Sequence, residues 1–167
     1  YEIDVNKWST EAGGITGNLA GAEFKLTTDK AGEQVVELIA TEDGYRVAKP
    51  DEVGVNSFTT TEVGDITISG LEAGTYYLYE VAAPEGYNKL KAPIEIKIEM
   101  TNEETGEAKI TVDGEAATGD DGTTVDVENK KGIELPETGS IGTISLTAAG
   151  VAIVLAGVLA PRKKKSE

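Results

Sequence analysis

Three strand-like segments each place one polar residue on an otherwise apolar face. Strict alternation puts Lys7, Glu80 and Asn129 on the faces of the apolar residues two and four positions before them. A single such residue would be interpreted as lying at a sheet rim and reaching solvent, because an unpaired charge in a core costs several kcal/mol. Three of them, on the first, a middle and the last strand, indicate a buried cluster. They would supply an amine, a carboxyl group and a carboxamide.

Composition narrows the chemistry that any site can use. The 167-residue chain contains no cysteine and no histidine, so it has no disulfide, no thiolate nucleophile and no imidazole base. We therefore expect no cofactor and no metal site. The formal net charge of -15 repels nucleic acid, which we do not expect as a partner.

Two further features could bind ligands. The acidic turns at 102–104 and 118–122 could hold calcium, but neither has the alternating ligands of an EF-hand loop, which favours solvated turns. Tyr76, Tyr77 and Tyr79 could form a sugar platform. Alternation favours ordinary strand packing instead, with Tyr76 in the core.

The C-terminal part contains a second chemical signal. Residues 141–160 carry no charge and would span about 30 Å as a helix, the thickness of a bilayer core. The basic run 162–165 that follows would remain in the cytoplasm. By itself this pattern predicts a single-pass anchor. Directly before it stands the pentapeptide Leu135-Pro136-Glu137-Thr138-Gly139.

The order of pentapeptide, apolar span and basic end resembles the cell-wall sorting signal of sortase substrates. The resemblance implies that a sortase thiolate attacks the carbonyl of Thr138 and cleaves the bond to Gly139. The acyl group would then pass to an amine, either of a peptidoglycan precursor or of a neighbouring pilin lysine. The membrane would be a partner only before this step. The mature protein would be secreted and covalently attached to the cell wall of a Gram-positive bacterium.

The segment before this signal has the pattern of an all-β domain. Alternation and turn residues predict strands at 1–7, 22–27, 34–41, 44–48, 65–69, 75–81, 94–100, 108–112 and 123–129. Many short strands with regular turns favour a sandwich, and no substantial helix is expected before residue 141. The predicted organisation is a β-sandwich at 1–131, a linker with the pentapeptide at 132–140, a transmembrane helix at 141–160 and a basic tail at 161–167.

Four sequence segments carry a more specific resemblance. Residues 74–87, Gly-Thr-Tyr-Tyr-Leu-Tyr-Glu-Val-Ala-Ala-Pro-Glu-Gly-Tyr, resemble the E-box of Gram-positive pilins. Residues 19–26, 68–71 and 125–131 are similar to the collagen-adhesin B-type domain, also called the prealbumin-like or SpaA-type pilin domain. This resemblance implies an immunoglobulin-like β-sandwich. It also implies an intramolecular isopeptide bond between Lys7 and Asn129, promoted by Glu80.

The residue types suit that bond. Burial favours a neutral amine, which is the nucleophilic form of Lys7, and a protonated carboxyl group, which can activate the Asn129 carboxamide and move a proton to the departing ammonia. The folded chain holds the groups at high effective concentration, so the reaction is a single turnover and the protein is not expected to be an enzyme. The other lysines fit less well. Lys25 and Lys97 alternate away from the core, and Lys130 and Lys131 lie beyond the last strand.

Three functional classes remain compatible with the sequence. We favour a structural subunit of a pilus, as a fimbrial shaft protein, over the stalk of a monomeric adhesin or the anchor of a wall-bound enzyme. The resemblance implies that a shaft subunit carries an acceptor lysine in a Tyr-Pro-Lys-type motif. That motif is absent from this sequence, and the nearest segment, 48–50, has the wrong order. The chain begins at Tyr1 without a signal peptide, so we expect a fragment of a longer protein. The sequence identifies neither a host ligand nor the sortase class.

Overall fold

A computed structural model describes residues 1–10 and 16–132. The sortase pentapeptide, the predicted membrane span and the basic tail lie outside these residues. Within the described ranges, no helix is both long and apolar enough to cross a bilayer.

The described chain forms β-strands joined by turns and loops. Their bounds are β1 (Glu2–Thr10), β2 (Thr16–Asn18), β3 (Glu23–Thr27), β4 (Leu38–Thr41), β5 (Gly44–Val47), β6 (Phe58–Thr59), β7 (Asp65–Ser69), β8 (Gly74–Ala82), β9 (Ile94–Asn102), β10 (Glu107–Val112), β11 (Glu115–Ala116) and β12 (Thr124–Glu128). The predicted all-β fold is confirmed, and each predicted strand is present with changed or equal bounds. The short strands β2, β6 and β11 were missed, because two or three residues are too few to show alternation.

The strands form two sheets. The first has the order β12-β1-β7-β5-β4, with β2 also paired to β1, and the second has the order β11-β10-β9-β8-β3-β6. The first and last strands, β1 and β12, are parallel neighbours, with Lys7 opposite Val127. The polypeptide therefore brings the two ends of the domain's sequence side by side in one sheet.

The largest error in the strand bounds has a topological cause. The predicted strand 34–41 shortens to Leu38–Thr41. The residues before it pair with the second sheet, where Thr28 N donates to Gln34 O at 2.9 Å and Val36 N donates to Leu26 O at 2.9 Å. Residues from Leu38 onward pair with β5 in the first sheet. One apolar run thus crosses from one sheet to the other, and alternation alone cannot show that crossing.

The core lies between the sheets and receives alternate side chains from both. Ile3 and Val5 of β1 have no exposed surface, nor do Phe24 and Leu26 of β3. The Phe24 and Phe58 rings stack with their centroids 5.9 Å apart, and Tyr45 approaches Phe58 at 5.6 Å. This apolar layer fixes the inward direction of the polar residues that follow it along β1, β8 and β12.

Candidate functional site

Lys7 and Asn129 lie on neighbouring segments of one sheet because β1 and β12 are parallel and adjacent. Lys7 is opposite Val127, and just beyond β12 the Asn129 backbone N–H donates to Trp8 O at 3.0 Å. The Lys7 side chain has no exposed surface, and Asn129 is 1 % exposed. Asn129, one residue beyond β12, therefore continues the inward face of that strand two residues past the partner of Lys7.

Glu80 reaches the same place from the opposite sheet. It lies near the end of β8, follows Leu78 on the inward face and is only 3 % exposed. Its Oε1 accepts a hydrogen bond from Asn129 Nδ2 at 2.7 Å, and its Oε2 accepts one from the Leu90 backbone N–H at 2.8 Å. The carboxyl group is thus fixed on both oxygens and contacts the carboxamide directly.

The Lys7 amine has carbonyl partners and a lowered pKa. Its Nζ donates to Val127 O at 3.1 Å and to Trp8 O at 3.3 Å. Burial lowers the pKa of Lys7 from 10.5 to about 8, although the nearby negative charges of Glu80 and Glu128 oppose the shift. About one tenth of such a lysine is neutral at pH 7, far more than of an exposed lysine. This site therefore holds an amine that can act as a nucleophile near neutral pH.

The Asn129 carboxamide is held at one end only. Its Oδ1 is buried and has no hydrogen-bond partner among the described residues. A buried polar atom without a partner costs about 1–3 kcal/mol. A half-turn of the carboxamide would exchange Oδ1 and Nδ2. In either orientation, one polar atom of the carboxamide lacks a hydrogen-bond partner among the described residues.

A cavity of about 260 Å³ adjoins Glu80. Its lining residues are Tyr79, Glu80, Lys89, Leu90, Lys91, Ala92 and Pro93. They belong to the end of β8 and to the loop that follows it. This cavity offers space beside the carboxyl group for a small molecule such as ammonia or water.

The remaining lysines considered from the sequence lie elsewhere. Lys25 Nζ donates to Gly32 O at 2.9 Å and lies 5.1 Å from the centre of the Tyr79 ring. Lys97 forms an exposed ion pair with Glu99 at 2.7 Å. Lys130 and Lys131 are exposed beyond β12. Lys7 is the one lysine of these five with a buried amine.

Two residues of the other candidate ligand features make internal contacts in the described chain. Tyr76 is 8 % exposed, as predicted for a core residue, and its hydroxyl donates to Glu72 O at 3.1 Å. Asn102 Oδ1 caps its own turn by accepting from Glu104 N at 2.9 Å. Across residues 1–10 and 16–132, no group of three or more acidic side chains is arranged to hold a metal ion.

Sequence reasoning missed the backbone groups of the site. Leu90 N, Val127 O and Trp8 O hold Glu80 and Lys7, yet a backbone group carries no signal in the residue type. The one sequence signal for the Leu90 contact was its position in the loop directly after the E-box-like segment, which contains Glu80.

A two-sheet sandwich with parallel first and last strands and a buried Lys–Glu–Asn cluster defines a class of prealbumin-like surface domain. The chain belongs to the SpaA family of prealbumin-like fold domains, whose model matches residues 3–116. A second family model, the LPXTG cell wall anchor motif, matches residues 127–167. The resemblances to the pilin domain and to the sorting signal are therefore confirmed. No curated protein matches the chain.

Solved structures with the same fold include two pilins. The minor pilin GBS52 of Streptococcus agalactiae is 25% identical with a TM-score of 0.55, and the match covers 83% of this chain and 47% of that one. The SpaE basal pilin of Lactobacillus rhamnosus GG, in its orthorhombic form, is 22% identical with a TM-score of 0.53, covering 80% of this chain and 48% of that one. This chain thus spans about half the length of the pilins it matches.

These findings identify a surface protein attached to the cell wall of a Gram-positive bacterium, with a pilin-like fold. The expected localisation is confirmed. The SpaA match ends before β12, whereas the structure pairs β12 with β1 in the first sheet. The last strand and Asn129 accordingly complete the same sandwich.

Proposed function

We propose that Lys7 and Asn129 form an intramolecular isopeptide bond and that Glu80 promotes it. The observation that carries this proposal is the hydrogen bond of 2.7 Å between the Asn129 carboxamide and the buried Glu80, in the cluster that contains the buried Lys7. Proton exchange inside such a cluster needs no histidine. A neutral amine, a carboxamide and a carboxyl group are the only reactants required.

In the proposed reaction, the lone pair of neutral Lys7 Nζ attacks Asn129 Cγ and forms a tetrahedral intermediate. Glu80 accepts a proton from Nζ and passes one to Asn129 Nδ2. The Cγ–Nδ2 bond then breaks, ammonia leaves and the Lys7–Asn129 amide remains. Glu80 ends in the protonation state in which it began. The cavity beside Glu80 would receive the ammonia.

Intact mass of the purified chain tests this reaction. We expect the wild type to weigh one ammonia less than its sequence requires, without added enzyme. Lys7→Ala and Asn129→Ala each remove a reacting atom and should restore the full mass. Glu80→Gln should also restore it, because glutamine retains hydrogen bonding but cannot shuttle a proton. Lys97→Ala, at an exposed ion pair, is the matched control and should still lose ammonia. A wild-type mass equal to that of the sequence would refute the bond.

We further propose that the chain is the wall-proximal part of a pilus subunit, in which a sandwich at 1–131 precedes a linker with the sortase motif. The pilin-like fold and the cell wall anchor motif support this assignment. Sortase would cleave between Thr138 and Gly139 and join Thr138 to peptidoglycan or to a neighbouring subunit. Within this proposal, we favour a subunit of the pilus shaft.

Wall extracts distinguish the functional classes. A pilus subunit should give a ladder of high-mass species after boiling in detergent, and deletion of a pilus sortase should abolish the ladder. Leu135→Ala should divert the protein from the wall to the membrane or medium. A single wall-linked band in all conditions would instead indicate an adhesin stalk. Recovery of residues beyond Thr138 in wall-extracted protein would contradict the cleavage.

A further inference from the structure

The loop that follows β8 contacts β8, β1 and the segment that follows β12. We name residues 84–90 the clasp. At its end, the Leu90 N–H holds Glu80 Oε2 at 2.8 Å. Near its centre, the Tyr87 hydroxyl accepts from Ser9 Oγ at 3.5 Å, and Ser9 follows Lys7 on the buried face of β1. One loop therefore links the carboxyl group and the lysine strand.

The clasp also holds the chain that leaves Asn129. Asn88 N donates to Lys130 O at 2.9 Å, and Gly132 N donates to Gly86 O at 2.7 Å. Tyr87 and Lys131 form an isolated antiparallel bridge between these bonds. On the other side of Asn129, its own N–H is bound to Trp8 O at 3.0 Å. The backbone is thus fixed immediately before and after the carboxamide.

The sequence of the clasp is suited to this shape. Tyr87 N donates to Pro84 O at 3.1 Å, closing a four-residue turn with Gly86 at its third position. Gly86 has φ of 83°, the left-handed value that this position of a type II turn requires and that favours glycine. This turn directs Gly86 O toward residues 130–132, which follow Asn129. The turn conformation of Pro-Glu-Gly-Tyr therefore allows Gly86 O to accept the hydrogen bond from Gly132 N.

We infer that the clasp positions Asn129 for attack by Lys7, so that the second half of the E-box-like segment acts in bond formation as well as its glutamate. This inference rests on the proposed isopeptide bond. β12 ends at Glu128, so ladder hydrogen bonds alone do not hold residues 130–132. Without the clasp the end of the chain would fray, and the carboxamide would spend less time beside Nζ and Glu80.

A proline at Gly132 tests the clasp by deleting one N–H. Gly132→Pro removes the bond to Gly86 O, whereas Gly132→Ala retains it and is the matched control. The full chain would be made by cell-free translation, quenched in acid at intervals and weighed intact. We expect Gly132→Pro to lose ammonia about fivefold more slowly than Gly132→Ala, the change expected for one hydrogen bond. The dependence of the rate on pH should keep its midpoint, since Lys7 is unaltered.

A second pair of variants keeps the test independent of proline. Gly86→Ala strains the turn and should slow the reaction, whereas Gly74→Ala, at a position with open space and at the start of β8, should not. Each variant would also be made with Lys7→Met, to measure folding by circular dichroism without the bond. Slower ammonia loss at an unchanged folded fraction supports positioning. Equal rates for Gly132→Pro and Gly132→Ala would overturn the clasp alone. No ammonia loss by the wild type would overturn the proposed bond and the clasp with it.

Discussion

The pKa of Lys7 predicts how the stability of the unreacted domain depends on pH. Asn129→Ala blocks the bond but leaves the buried amine, so this variant is the appropriate background. Folding lowers the pKa of Lys7 from 10.5 to about 8. Between these values the unfolded chain binds a proton that the folded chain lacks, so the free energy of unfolding must rise with pH.

The magnitude follows from the size of the shift. A difference of about 2.5 pKa units corresponds to about 3 kcal/mol. The full penalty applies below pH 8, where both states are protonated, and it disappears above pH 10.5. On the order of 2–3 kcal/mol should therefore be regained between pH 7 and pH 10 in the Asn129→Ala variant. Adding Lys7→Met to this variant should remove that part of the pH dependence.

Urea unfolding at several pH values measures the effect, with the single tryptophan, Trp8, as the fluorescence probe. The quantity of interest is the difference between Asn129→Ala and Asn129→Ala/Lys7→Met. This subtraction cancels other titrations, including those of Tyr76 and Tyr77, whose pKa values burial raises. Parallel stability curves for the two variants would refute the desolvation of Lys7 and with it the supply of neutral amine at neutral pH.

Three further predictions concern the reaction and the core. Ammonia loss by the wild type, followed by intact mass, should accelerate about tenfold per pH unit up to about pH 8 and then level off, because only neutral Lys7 reacts. Phe58→Ala should lower the free energy of unfolding by about 3–5 kcal/mol in urea titrations, since its 2 % exposed ring packs on Phe24. Gly44→Ala should destabilise by about 2 kcal/mol or more, because φ is 142° and the new Cβ would meet Thr67 O, whereas Gly74→Ala should change the same measurement by less than about 0.5 kcal/mol.

The inward faces of the site strands could be predicted because side chains alternate on a strand with a period of two. This rule alone placed Lys7, Glu80 and Asn129 in the interior, where the structure has them. It could not show that β1 and β12 are parallel neighbours. That pairing joins residues about 120 positions apart, and nothing local in either segment encodes it.

The clasp could not be predicted for a related reason. Its contacts with Lys130 and Gly132 are made by backbone groups, which every residue type offers equally. The residue types of Pro-Glu-Gly-Tyr favour a turn, but they do not identify the segment that the turn contacts. The crossing between sheets at 36–38 could not be predicted for the same reason. Apolar side chains in a run do not identify the sheet with which its backbone pairs.

The topology determines how the proposed bond would carry load. The chain enters the described domain at Tyr1 and leaves it at Gly132, at opposite ends of the parallel pair β1 and β12. Tension applied between these ends would pass along β1 to Lys7, cross the amide and leave through Asn129. The residues between them would be bypassed, so both sheets and the core could stay folded under load. The same bond would close a loop of about 120 residues, which the chain-entropy treatment values at about 4–5 kcal/mol. Outside the bond, only the hydrogen bonds of residues 1–6 and 130–132 would be loaded. The clasp holds residues 130–132.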